Sequence, residues 1–355
     1  MDKVQRVASD TINTCEDGVP EVRSPIRDEA RSQGLMIRGK PDLTTIPSST
    51  FTGVADVGVV GAGPAGLAAA LTLRRHCRSV IVFDGGPARN YWTRRVHGVL
   101  GLPEVSGRDL HELGRRQVSE VGGQLVDARI AEAHRDGDGF VACEADGRSW
   151  RVDRLVLATG VRDVYPDIEG FFDFYGSSVF VCPHCDGYEV RDQPIALVAW
   201  SAGMLPFTLT LSQWTRDITI VTDGRASPLG PDERRKLDGI GARVITKNVR
   251  RFEGSDGQLR ALRFDDDSTL PVSAAFFTTE TQFQTALARQ LGCQIRPGGC
   301  VEVDEHLRTS ADGVWAVGDL VGEEQLVPIA SAHGVKAGVD VHRTLPLPTG
   351  DLPPS

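Results

Sequence analysis

Residues 56–66 read Asp56-Val-Gly-Val-Val-Gly61-Ala-Gly63-Pro64-Ala65-Gly66, and this stretch decides the fold. Val57-Gly58-Val59-Val60 is an apolar run suited to a short buried strand. Pro64 stands where the first turn of a helix tolerates an imino acid. Between them, Gly61 permits a tight turn and Gly63 lets a pyrophosphate approach the backbone. Gly66 lets the helix lie close to the sheet, and the helix start contributes positive potential. Outward from this turn, a helical pattern runs from Pro64 to Arg75, and Ser79-Val-Ile-Val-Phe-Asp84 is a second buried strand. Asp84 follows the glycines by about 20 residues, where an acid can bind a ribose hydroxyl. A lone GxGxxG string is weak evidence. With strand, helix and terminal acid in register, it predicts a dinucleotide site on Gly61, Gly63, Pro64, Ala65, Gly66 and Asp84, at the opening of a doubly wound α/β sheet.

Further along, the pattern predicts a helix around Gly107–Gly122, a hairpin turning at Asp146-Gly147, and a strand over 154–158 that ends in Thr159-Gly160. A second α/β unit is expected from Gln193, with the strand Ile195–Ala199, a helix near Leu205–Gln213 and the strand Ile218–Thr222. The run Val314–Val317 ends in Gly318-Asp319 and feeds a helix from about Ile329. A strand ending in Gly-Asp sets a carboxylate at the edge where such sheets bind ligands. An acidic turn is the plain alternative. No internal repeat of fixed short period is visible.

A chain of 355 residues exceeds one ordinary core, so about two domains are expected. Its 40% hydrophobic and 25% charged residues fit a soluble globular protein. The net charge of -9 excludes a nucleic-acid partner, which needs a basic face. Val54–Leu73 is long and apolar enough to suggest a membrane span, but Asp56, Pro64 and four glycines fit the strand–turn–helix better. The first 18 residues have no apolar core, so a cytoplasmic location is expected. Seven cysteines in such a chain do not suggest a disulfide framework.

Only two cysteines are closely spaced, in Phe180-Val-Cys182-Pro-His-Cys185-Asp186-Gly187. Cysteines at this spacing can close a small, reducible disulfide. They could also be half of a zinc site or buried structural thiols. The remaining Cys and His offer no second ligand pair, and no metal site is expected.

Taken in order, these motifs resemble the thioredoxin-reductase-like branch of the pyridine nucleotide–disulfide oxidoreductases, from about Ala55 to Leu345. The resemblance implies two Rossmann-like domains, a split FAD domain with an inserted NADPH-type domain that carries the Cys pair. The expected boundaries are a mobile extension at 1–53, FAD-domain parts at 54–164 and 284–347, the inserted domain at 165–283, and a tail at 348–355. It further implies FAD contacts from Thr159, Gly160, Gly318 and Asp319, with Asp319 on the ribityl chain. Cys185 would exchange electrons with the flavin, Cys182 would meet substrate, and Asp186 would carry a proton. A homodimer is expected. Cys-Pro-His-Cys-Asp-Gly-Tyr-Glu, together with Arg89-Asn90 and His97-Gly98, is similar to the gliotoxin- and holomycin-type dithiol oxidases. Asp186, where that branch has His, matches thioredoxin reductases instead.

The inserted domain departs from the family. Where glycines should follow the strand Ile195–Ala199, the chain has Ala199, Ser201 and Met204, and Pro206 is expected to disturb the helix start. After Thr222 only Arg225 is basic, so NADPH binding is doubtful. The favoured expectation is an FAD enzyme that closes a small-molecule dithiol into a disulfide with dioxygen as acceptor, His97 or His333 being the candidate base. The alternatives are a reductase of a thioredoxin-like protein, driven by NADPH or a reduced protein donor, and a flavin-bound redox sensor.

Overall fold

A computed structural model describes residues 51–102 and 105–347, together with a two-residue strand pair, Asn13–Thr14 with Pro20–Glu21. The expected extension lies outside the described residues except for that pair and for 51–53, where Gly53 already begins a strand. The tail at 348–355 lies outside them too. Everything below concerns the compact unit that begins at Phe51.

The signature folds as its spacing predicts. The strand Gly53–Val60 runs parallel to Val80–Asp84, and the helix Pro64–Arg75 connects them. Gly61 has φ +110, and a Cβ there would lie 2.3 Å from the Ala158 carbonyl oxygen. A Cβ on Gly66 would lie 1.9 Å from the Gly61 oxygen. Both positions therefore exclude any side chain.

The strands Gly53–Val60, Val80–Asp84, Gln124–Asp127, Ser149–Leu157 and Val314–Ala316 form the parallel part of a seven-stranded sheet. An antiparallel meander, Ile130–Asp136, Gly139–Glu144 and Ser149–Leu157, extends it. Val314–Ala316 pairs with Ser149–Leu157 although the whole second α/β unit lies between them in sequence. That unit is a five-stranded parallel sheet built from Val179–Phe180, Ala274–Thr278, Ile195–Ala199, Ile218–Val221 and Arg243–Ile245. Apolar clusters cover both faces of each sheet, as parallel strands require. Two antiparallel segments, Val161–Val164 and Glu280–Phe283, carry the chain out of the first sheet and back.

Two features differ from expectation. Pro206 does not disturb its helix. Met204–Leu211 begins at Gly203, so Pro206 sits in the first turn, where its missing N–H costs no helical hydrogen bond. A three-stranded antiparallel sheet, Val249–Ser255, Gln258–Phe264 and Thr269–Pro271, was not expected. Its first strand carries Arg250-Arg251 and two register shifts that hide the period of two. Among the described residues, no helix is long and apolar enough to cross a membrane.

The C-terminal helix Val327–Thr344 packs on Pro64–Arg75 through Gly334 and Gly338. A Cβ on Gly334 would lie 2.1 Å from the Ala65 oxygen, so Gly334→Ala must push the helices apart. Overpacking of this kind costs about 1–3 kcal/mol. Gly334→Ala is therefore expected to lower the melting temperature by a few degrees. Gly239→Ala, in a helix with nothing within 4 Å of the added methyl, should leave it unchanged or raise it. Equal melting temperatures for Gly334→Ala and the parent would refute this packing.

Candidate active site

Three segments distant in sequence converge at the carboxyl edge of the first sheet. They are the Gly61–Gly66 turn, Gly318-Asp319 and the start of the C-terminal helix: a Cβ on Gly318 would meet Ala65 Cβ at 2.8 Å and Ala330 Cβ at 3.7 Å. Gly63 is different from its neighbours. It has φ -70 and caps the helix, and a Cβ there would meet only Ala88 Cβ, at 3.8 Å. Nothing among the described residues demands glycine at this point. The open space above its backbone, at a helix start, is room that a phosphate can fill.

Asp84 ends its strand buried, as a ribose-binding acid should. Its Oδ1 accepts the Gly86 N–H at 3.1 Å, while Oδ2 is paired with Arg115 and lies 3.3 Å from His111 Nε2. Burial alone would raise its pKa, but His111, the Gly86 N–H and Arg115 outweigh burial and hold it low. Neither partner is marked by any motif or spacing in the sequence. Thr159 and Gly160 tie the chain crossing together: the Thr159 hydroxyl donates to the Gln284 carbonyl at 2.8 Å, and the Gln284 N–H donates to Gly160 at 3.0 Å.

Asp319 belongs to a network the motifs did not announce. Arg89 donates to both carboxylate oxygens of Asp163, at 2.6 and 2.7 Å, and also to Asp319 at 3.3 Å and Gln325 at 2.5 Å. Asp163 lies in the outgoing segment Val161–Val164, so Arg89 ties that segment to Gly318-Asp319. Burial raises the Asp319 carboxyl despite Arg89. The side chain of His333 is buried nearby, with Nε2 3.1 Å from Glu323 and Nδ1 unpartnered among the described residues.

Cys182 and Cys185 are joined as a disulfide and are half-buried, so they are neither separate structural thiols nor free to bind zinc. Pro183–Asp186 is a single helical turn capped by Cys182, whose Sγ accepts the Cys185 N–H at 3.1 Å. Gly187 must be glycine here, because a Cβ would lie 2.5 Å from the Trp214 ring. Asp186 follows Cys185 and is buried. His97 Nδ1 lies 3.2 Å from its Oδ1, and His97 Nε2 lies 3.7 Å from Glu189. Burial pushes the Asp186 carboxyl up to about 6, with Glu189 adding to the rise and His97 opposing it. Of the two candidate histidines, then, His97 is brought to the cysteine segment, and His333 to the neighbourhood of Asp319.

In the second sheet, the crevice beyond Ile195–Ala199 and Ile218–Val221 is bridged by side chains. The Arg225 guanidinium lies 3.8 Å from the centre of the Trp200 ring and is held by Asp223 at 3.1 Å. Met204 is fully buried at the helix start. Among the described residues, no group of three or more His, Cys, Asp or Glu side chains is arranged to hold a metal ion.

The comparisons agree with this geometry. A thioredoxin reductase from Claviceps purpurea, tcpT, is 30% identical over 80% of this chain and 92% of its own length. One from Leptosphaeria maculans, sirT, is 29% identical over 83% and 95%. The crystal structure of HlmI superposes with a TM-score of 0.77 at 32% identity, covering 84% of this chain and 93% of that one. A putative thioredoxin reductase from Bacillus anthracis, TrxB, gives 0.74 at 27% identity, covering 81% and 97%. The family model for pyridine nucleotide-disulphide oxidoreductases matches residues 55–334. The chain belongs to that family, and is a thioredoxin-reductase-like oxidoreductase acting on sulfur groups.

Proposed function

We propose that the protein oxidises a dithiol to a disulfide, using FAD and no nicotinamide nucleotide. The observation that carries this reading is the Trp200–Arg225 stack. It joins the residues that follow the two central strands of the second sheet, where a doubly wound unit binds its nucleotide, and it engages Arg225, the basic side chain after Thr222 that could meet a 2′-phosphate. Residues 54–164 and 284–347 would form the FAD domain, and 165–283 the inserted one.

The first site suits FAD. The open backbone at Gly63 and the helix start would hold the pyrophosphate, Asp319 would accept from ribityl hydroxyls, and Thr159-Gly160 would border the cofactor. When bound there, FAD would supply the two-electron redox chemistry that links the enzyme dithiol to an acceptor such as dioxygen. The protein's own part is thiol–disulfide exchange. A substrate thiolate attacks Cys182 Sγ, the Cys182–Cys185 bond breaks, and Cys185 leaves as thiolate. The second substrate thiolate then attacks the substrate sulfur of the mixed disulfide, forming the product S–S bond and releasing Cys182 as thiolate. Two electrons have passed to the pair. The two substrate protons go to the His97–Asp186 couple and to solvent. The Cys185 N–H stabilises charge on Cys182.

The names of the relatives favour a second reading, reduction of a thioredoxin-like protein driven by NADPH or a reduced protein donor. Anaerobic stopped-flow separates NADPH-driven chemistry from dithiol chemistry. Losing the backbone contacts to the pyrophosphate and the pair of basic residues costs about 2–3 kcal/mol each, or roughly three orders of magnitude in affinity. NADPH should therefore bleach the flavin poorly, and a small dithiol should bleach it readily. Fast bleaching by micromolar NADPH would overturn the proposal.

The order of the thiols is tested by substitution. Cys182→Ser leaves Cys185 as the lone thiolate and is expected to give a long-wavelength charge-transfer band with the flavin. Cys185→Ser should give none, and the reverse pattern would exchange the two roles.

Asp186 makes a pH prediction. Its carboxyl titrates near 6 in the fold against an ordinary 3.8, so any stabilisation linked to its protonation is present below about pH 4 and lost as pH rises through about 6. Asp186→Asn removes the buried charge. It should raise the melting temperature at pH 8, by a stability difference on the order of 3 kcal/mol, and have little effect at pH 4. The same shift at both pH values would contradict this account.

A further inference from the structure

We propose that the loop Val96–Leu102, together with Glu189, is the binding pocket for the apolar body of the dithiol substrate, which is a small neutral molecule rather than a protein. This rests on the oxidase reading and adds the substrate class. The loop borders a pocket of about 400 Å³, lined by the apolar Val96, Val99, Leu100 and Leu102 together with the polar His97 and Glu189. That is the size of a small-molecule site.

Leu100 is 102% exposed, and no other part of the described chain covers it. Gly98 and Gly101 have φ +75 and +86, with no atom within 4 Å of an added Cβ. These glycines are therefore set by the bend of the loop, which leaves Leu100 fully exposed, Val99 and Leu102 partly exposed and Val96 buried, and not by packing against a neighbour.

The polar end fixes the orientation. His97 reaches Asp186, which follows Cys185, and lies 3.7 Å from Glu189. A molecule whose body rests on Val99 and Leu100 would thus point its other end toward the disulfide segment and the proton-carrying couple. No Lys or Arg lines the pocket, and Glu189 and Asp186 stand at that end, so a carboxylate-bearing dithiol is disfavoured.

Two probes test this, ortho-xylene-α,α′-dithiol and its unreactive bis-S-methyl thioether. Binding of the thioether to the FAD-loaded protein is measured by calorimetry for wild type, Leu100→Asp and Val335→Asp, the last an exposed apolar side chain outside the pocket. Flavin spectrum, melting temperature and oligomeric state are recorded for each. Leu100→Asp should weaken thioether binding about tenfold, the worth of one buried leucine contact, and Val335→Asp should not. Leu100→Asp should also lower, by a similar factor, the preference for the xylene dithiol over hydrophilic dithiothreitol in anaerobic flavin reduction. Equal thioether affinity in all three proteins, no binding to wild type, or dissociation of an oligomer by Leu100→Asp would overturn the pocket. If the thioether discriminates the variants but no dithiol bleaches the flavin, the pocket stands and the oxidase reading falls.

Discussion

The structure depends on one close approach, between the Gly334 α-carbon and the carbonyl of Ala65. It lets the C-terminal helix lie directly on the helix of the glycine signature, and Gly338 continues the contact against Thr72 and Ala69. Because the second helix comes from the far end of the chain, the same contact brings Gly318-Asp319 to the Gly61–Gly66 turn. The first sheet can then be split in sequence and closed in space, with Val314–Ala316 pairing beside Ser149–Leu157. A side chain at Gly334 would force the two helices apart, whereas one at Gly338, with an added Cβ 3.0 Å from Thr72, would need a shift of only a few tenths of an ångström.

Charge placement gives the cysteine segment its chemical character. A buried carboxyl one residue from Cys185 is costly to ionise, and His97 moderates that cost without cancelling it. The Asp186 carboxyl can therefore take up or release a proton at about pH 6. The Cys185 N–H directed at Cys182 favours negative charge on that sulfur over the other. The two cysteines are thus inequivalent before any ligand is considered.

The second sheet keeps the strands, helix and parallel pairing of a nucleotide-binding unit while its crevice holds Trp200 and Arg225. Fold and ligand are separable here because the sheet is held by buried aliphatic side chains, whereas a nucleotide would be held by a few residues at the strand ends. Replacing those few leaves the core intact.

What the sequence determined by itself was the part encoded by backbone geometry. Gly61, Gly66 and Gly187 are positions where a side chain would collide with main chain or ring, and such glycines read clearly in a string with strand and helix around it. The Cys-x-x-Cys spacing likewise permits a local disulfide, and the buried parallel strands announce themselves as unbroken apolar runs. Tertiary structure alone decided the side-chain partnerships. Arg89 with Asp163 and Asp319 spans 74 and 230 residues, and His97 with Asp186 spans 89. Polar side chains at such distances leave no period or spacing, because their meeting is set by how the sheets and the crossing segments pack. For the same reason a lone Trp200 looks unremarkable in sequence. Ala199, Ser201, Met204 and the single basic Arg225 already made NADPH binding doubtful, and tertiary structure added the stacking of Arg225 on Trp200.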